Sequence, residues 1–184
     1  MNKAVWVIIA LLVVFVLGGI MSYNGLVSMN ENVNGKWSQI ENQLQRRADL
    51  IPNLVSTVKG YAAHEQQAIQ SVADARAKLA GAQGPAAKAQ ANADLNNSLS
   101  RLLVIAENYP DLKADKNFRA LMDELSGTEN RIAVARKDYN DAVQIYNTKI
   151  RSFPTTIFSG MMGFGAKEYF KAEEGAQQVP KVQF

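Results

Sequence analysis

The sequence predicts an all-α fold: an N-terminal transmembrane helix that continues into a long antiparallel, up-and-down four-helix bundle, with a short apolar C-terminal segment near the membrane. Three observations carry this. Residues 4–21, AVWVIIALLVVFVLGGIM, contain no charge. Over residues 118–146 apolar positions recur at alternating spacings of three and four, the seam of a packed helix. Strong breakers fall at Gly60, at residues 81–85, at Tyr109-Pro110 and at Phe153-Pro154, cutting the chain into four helical lengths.

The apolar run is about 27 Å of helix, close to the ~30 Å hydrocarbon core of a bilayer. Val5, Trp6, Ile9, Leu12, Phe15, Leu17 and Ile20 form its lipid-facing body, and Trp6 and Tyr23 lie near its two ends, where interfacial aromatics are expected. The alternative is a cleaved signal peptide. Against it, the run exceeds a usual h-region and no small-x-small cleavage site follows. Lys3 flanks one end, and Glu31 precedes the first cation, Lys36, at the other. The positive-inside rule then places the N-terminus in the cytoplasm and the remainder outside it, as for a single-pass protein of the bacterial inner membrane with its bundle on the periplasmic side.

In the first helix after the anchor, Val33, Trp37, Ile40, Leu44, Ile51, Leu54 and Val58 keep the same 3-4 spacing. Arg47 occupies a seam position where an apolar residue is due. Either it snorkels to water, or it is buried against a carboxylate of another helix, because an unpaired buried charge is costly. Pro52 is expected to kink the helix near residues 49–51, or to restart it with Asp49 as the cap. The second helix is expected over 62–80, with Ile69, Val72, Ala75 and Leu79 inward, and the third over 86–108, with Leu95, Leu99, Leu102 and Ala106 inward. The fourth, about 115–151, buries Phe118, Leu121, Leu125, Thr128, Ile132, Ala135, Tyr139, Ala142 and Tyr146.

The first and fourth helices are roughly 54 Å long and the middle two roughly 30 Å. With short connections, consecutive helices are antiparallel neighbours. That register brings Asn24 near Ile150 and Trp37 near Lys137, with a two-helix stalk below a four-helix bundle. The chain divides into the N-terminus, 1–3; the transmembrane anchor, 4–23; the helical bundle, 24–151; an apolar membrane-proximal segment, 152–172; and a polar tail, 173–184. Within the apolar segment, Ile157, Phe158, Met161, Met162, Phe164, Tyr169 and Phe170 are candidates for contact with the membrane surface or a neighbouring protomer. The alternative is a satellite that caps its own bundle.

The composition excludes several functions. There is no cysteine, hence no disulfide and no thiolate metal site. The net charge of +3 is spread along 184 residues without a basic tract, so no nucleic acid is expected. His64 is alone, and its neighbour Glu65 points about 100° away on a helix. Neither metal-ligand spacing nor a phosphate loop is present, so no catalytic residue, metal or cofactor is expected. The repeated Tyr-Asn pairs at 23–24, 139–140 and 146–147 suggest a polar ladder between the first and fourth helices that sets their register, or a ligand site in the stalk.

Several segments, in order, resemble the LemA family of bacteria: YNGLV at 23–27, RRADLIPNLVSTVKGYAAHE at 46–65, AENYPDLKADKNF at 106–118, ELSGTENRIAVARKDYNDAV at 124–143, YNTKIRSFP at 146–154 and GFG at 163–165. The resemblance singles out Arg46, Arg47, Leu50, Ile51, Pro52, Asn53, Lys59, Gly60, Tyr61, His64 and Glu65 in the second of these. It adds Tyr109, Pro110 and Leu112, then Glu129, Asn130, Arg136, Tyr139, Asn140, Tyr146 and Asn147 along the last helix, and Phe153 with Pro154 at its end. It implies a single-pass membrane protein with an antiparallel helical bundle. Through a related magnetosome protein it also implies membrane organisation or remodelling, and it carries over no enzymatic activity.

Two functional readings follow. One is a membrane-anchored, coiled-coil-like scaffold of the bacterial envelope whose partners are the lipid bilayer and further copies of itself. The other is a regulatory module that docks an envelope protease, hydrolase or sensor through the tip built from residues 60–64 and 108–117.

Overall fold

The computed structural model describes residues 3–171; the expected polar tail at 173–184 and the first two residues lie outside the described residues. The order is α1 (Lys3–Tyr61), α2 (Gln66–Gly81), α3 (Gly84–Ala106), α4 (Pro110–Ala114), α5 (Lys116–Arg151) and α6 (Thr155–Met161). No strand occurs among the described residues. The described chain forms two compact units, residues 3–37 with 138–168, and 38–137 with 169–171.

In the unit built on residues 38–137, the heptad positions read from the sequence supply the core. Ile40, Leu44, Ile51, Leu54 and Val58 of α1 are buried, as are Ile69, Val72, Ala75 and Leu79 of α2. From α3 and α5 come Leu95, Leu99, Leu102, Phe118, Leu125 and Ile132. Polar bonds tie these helices pairwise. The Ser71 and Ser98 hydroxyls lie 3.1 Å apart between α2 and α3, and Lys78 donates to Asp94 at 2.9 Å. The turn between them ends at Gly84, whose φ of +76° strains any residue with a Cβ, and Pro85 then opens α3 with its φ already helical.

Of the two expectations for Pro52, a kink or a restart, the restart is corrected: α1 is continuous from Lys3 to Tyr61, and Asp49 accepts from Gln45 instead of capping a new helix. A neighbour meets the carbonyl that Pro52 leaves without its helical donor. Proline lacks the N–H that would reach the carbonyl four residues back, that of Ala48. Arg76 of α2 supplies the missing donor, its Nε reaching the Ala48 carbonyl at 2.9 Å. The two residues should therefore be coupled. Arg76→Ala alone is expected to cost about 1–2 kcal/mol, through an orphaned carbonyl. In a Pro52→Ala background, where the backbone N–H returns, the cost should fall to a few tenths. A double-mutant cycle by thermal melts reads this directly, and equal costs in both backgrounds would refute it.

The unit built on residues 3–37 and 138–168 holds the N-terminal part of α1, the C-terminal part of α5, and α6. Leu26, Val33, Ala142, Val143, Tyr146 and Ile150 are buried in it. The Trp37 ring lies 5.4 Å from that of Tyr139, and Lys36 bonds Asp138 at 2.9 Å. Helix α4 has no counterpart in the sequence reading, where residues 110–114 belong to a break.

Candidate functional site: a buried charge network and an apolar C-terminal segment

Arg47 is the most buried charged side chain among the described residues, 4% exposed. Its position follows from the seam of α1, between Leu44 and Ile51, so it enters the core rather than snorkelling. Its guanidinium forms an ion pair with Glu129 of α5 and donates to the side-chain carbonyls of Asn92 and Asn96 of α3. Asn96 also donates to Glu129 at 3.4 Å. Burial pushes the Arg47 pKa down from its ordinary value, while the charge and hydrogen bond of Glu129 push it back up. Arg47 Nε is the one buried side-chain nitrogen or oxygen among the described residues without a hydrogen-bond partner. The carboxylate of Glu129 is partly exposed and borders an open recess of about 440 Å³ between α3 and α5. Nearer the surface, Glu124 bridges Arg46 at 2.7 Å and Arg131 at 2.9 Å.

At the loops that join α1 to α2 and α3 to α5, two tyrosines act as ties. Tyr61 donates to Asp115 at 3.0 Å, and Tyr109 donates to Glu65 at 3.0 Å. Asp115 also accepts from the backbone N–H of Phe118 at 2.8 Å, capping α5. That backbone bond, and then the Tyr61 hydroxyl, hold its carboxyl below the usual range. The same two carboxylates raise the tyrosine hydroxyls. Leu112 of α4 is buried. His64, Pro52, Asn53, Lys59, Gly60 and Asn130 are exposed.

In the other unit, α1 is long and apolar enough to cross a membrane by length and composition. Val5, Trp6, Ile9, Leu12, Phe15, Leu17 and Ile20 are 41–60% exposed along it. Gly19 is covered instead: a Cβ built there lies 3.3 Å from the ring of Phe158, and the Phe15 ring lies 5.1 Å from Phe158. Farther along α1, the Tyr23 and Phe164 rings meet edge to face at 5.9 Å. Of the membrane-proximal candidates, Phe158 and Phe170 are buried and Phe164 is half-buried, whereas Ile157, Met161, Met162 and Tyr169 are exposed. The Phe153–Pro154 bond is cis.

Two side chains of the Tyr-Asn repeats, those of Tyr139 and Asn147, hold the C-terminal segment. Asn147, 7% exposed, donates to the Lys167 carbonyl at 2.9 Å and accepts from the Lys167 N–H at 2.9 Å. Tyr139 donates to the Glu168 carbonyl at 2.8 Å. Burial, then the charge of Glu168, raises the Tyr139 hydroxyl pKa, and burial alone raises that of Tyr146. Sequence spacing could not reveal this, because the partner is backbone and follows no residue pattern.

Asn92, Asn96 and Arg76 were missed as network members. The available signal was weak: Asn92 and Asn96 stand one helical turn apart among alanines, on a face otherwise destined for the core. Among the described residues no three His, Asp or Glu side chains gather at metal-holding geometry. A recess of about 670 Å³ between α2 and α3 is open and lined by Gln67, Gln70, Asp74, Lys78, Asp94 and Arg101 among others, with no histidine.

The LemA family profile matches residues 36–184. Magnetosome protein MamQ 2 of Paramagnetospirillum magneticum is 32% identical over 196 aligned positions, which cover 92% of this chain and 72% of that protein. Magnetosome protein MamQ of Magnetospirillum gryphiswaldense is 31% identical, with 93% and 72% covered. Protein LemA of Metamycoplasma hominis is 23% identical over 152 positions, covering 82% and 69%. With a family match over most of its length and relatives above 30% identical that cover more than nine-tenths of it, the chain belongs to the LemA family.

Proposed function

We propose that this protein is a membrane-anchored helical scaffold of the bacterial envelope that self-associates and organises membrane, without catalysis. One observation carries the reading: the uncharged run at 4–21 is exposed apart from the contact around Gly18 and Gly19, and belongs to a helix that continues unbroken to Tyr61. An apolar surface of that length is costly in water and at home in lipid. The likeness to proteins named for the magnetosome supports a membrane setting. In this reading the protein is single-pass in the inner membrane, and residues 24–151 form an up-and-down four-helix bundle on the periplasmic side. Lateral copies cover apolar side chains such as Val104, Val134 and Ile145, which are 60–70% exposed. Mass photometry of the detergent-solubilised protein should give a mass above one chain. A monomer at every concentration would overturn self-association. A reporter fused after Phe184 should be active only outside the cytoplasm.

A second reading has the ordered tip dock an envelope protease, hydrolase or sensor. The tyrosine ties to Asp115 and Glu65 favour it, because they hold exposed loops in one shape. Crosslinking capture should then be lost on replacing Tyr61, His64 and Lys113 together, and capture unchanged by those replacements would reject it.

A further inference from the structure

Residues 152–166 contain no charge, and the residues flanking them are cations: Lys149 and Arg151 before, Lys167 after. Inside this stretch Phe158 is buried against Phe15 and Gly19 of the apolar run. Phe153 and Met161, by contrast, are 81% and 77% exposed, and Ile157 is 44% exposed. Ile157 and Met161 stand one turn apart, so α6 is apolar on its outer face as well as its inner one.

The contacts also set a depth. The apolar run of α1 ends at Met21, and Phe15 lies six residues before it, about 9 Å along the helix. The Phe158 ring is beside Phe15. Phe164 is beside Tyr23, about 12 Å farther along the helix axis than Phe15. The chain therefore descends beside α1 to the level of Phe15 and climbs back to the polar end.

Its backbone suits an apolar surrounding, where every unpaired polar group is costly. The Thr156 N–H reaches the Ser152 carbonyl at 2.8 Å and Met162 N–H reaches Phe158 at 3.0 Å. Phe164 N–H reaches the Ser159 carbonyl at 3.0 Å, and the buried Ser159 hydroxyl donates to the Ile150 carbonyl at 2.9 Å.

We propose that residues 153–164 form a re-entrant element immersed in the same leaflet as the C-terminal third of the anchor, with Lys149, Arg151 and Lys167 set against anionic phospholipid headgroups. The element adds apolar bulk to one leaflet only, beside a helix that crosses both. This deepens the membrane-scaffold reading and rests on its anchoring by residues 4–21.

The full chain has no cysteine, so single-cysteine variants carry one environment-sensitive probe each. Met161→Cys reports α6, Val13→Cys the anchor and Gln66→Cys the aqueous side, with the protein reconstituted in phosphatidylglycerol–phosphatidylethanolamine vesicles. A nitroxide placed near the carboxyl end of the acyl chain should quench the Met161 probe to within about twofold of the Val13 probe, and aqueous iodide should quench it at least about fivefold less than the Gln66 probe. Lys149→Glu with Arg151→Glu should reduce the lipid quenching at Met161 in these vesicles, and not in phosphatidylcholine.

Iodide access at Met161 equal to that at Gln66 would overturn the inference. So would protection from both quenchers, which is the signature of cover by a second copy. A Val13 probe that lipid does not quench would bring down the anchoring reading and this inference with it. Lipid quenching at Val13 without any at Met161 would bring down this inference alone.

Discussion

Glu129→Ala should destabilise the protein by about 1–3 kcal/mol, more than any other single change at a partly exposed position of the chain. The removal of one member of a buried pair usually costs about 3–5 kcal/mol, because the partner's charge is left in a poorly solvated site. The Glu129 carboxylate is 41% exposed, so water screens part of the interaction and the lower figure applies. For a domain of this size the melting temperature should fall by roughly 5 °C. Arg47→Leu alone is not the mirror image of this change, since it strands the Asn92 side-chain carbonyl, which is buried. Arg47→Leu combined with Asn92→Leu should be the milder change, losing less than Glu129→Ala, because both buried polar partners leave together. Arg47 Nε already lacks a partner, which makes the network a poor source of net stability and a good source of specificity. Melts of the three variants in the same detergent test the order. If all three melt with the wild type, Arg47 is not buried in solution.

Asn147→Ala should free the segment around Lys167. The wild-type amide makes two hydrogen bonds to the Lys167 backbone from a buried position, worth about 2 kcal/mol together, or roughly thirtyfold in a local opening equilibrium. Hydrogen exchange at the Lys167 amide should accelerate by about that factor, and trypsin should cleave after Lys167 at a correspondingly higher rate. Tyr139→Phe, which removes only the bond to the Glu168 carbonyl, should give about fivefold. The Asn147 prediction fails if protection at Lys167 is unchanged while the global melt is also unchanged.

The parts of this fold that follow from repetition were legible in the sequence. The 3-4 spacing picked out Ile40, Leu44, Ile51, Leu54 and Val58, and along α5 Phe118, Leu125, Ile132 and Tyr139, all of which are buried. It also showed Arg47 standing in a row of apolar residues, although spacing alone left snorkelling open. Illegible were contacts between a side chain and a distant backbone. The Ala48 carbonyl, which Pro52 leaves without its helical donor, is met by Arg76 from another helix, and nothing in the local run announces a donor arriving from there. The Tyr-Asn repeats were visible, but the partners of Tyr139 and Asn147 were hidden for the same reason. A phenol and an amide beside a seam signal a demand for hydrogen bonds, and the sequence does not say whether side chains or main chain will meet it. The packing of α6 fell between two readings. Phe158 sits on its own chain as a satellite does, while the exposed residues around it keep the surface apolar.

The clasp by Asn147 and Tyr139 has a consequence for how this sequence can vary over evolutionary time. It grips the N–H and carbonyl of Lys167 and the carbonyl of Glu168, atoms that every residue other than proline provides. The path of the chain there is thus dictated from α5, while the identity of the gripped residues is left open. Substitutions at 167 and 168 can change the charge and chemistry presented at that point without moving the backbone. A surface built this way can be retuned to a new lipid or partner one residue at a time, with proline alone barred from position 167.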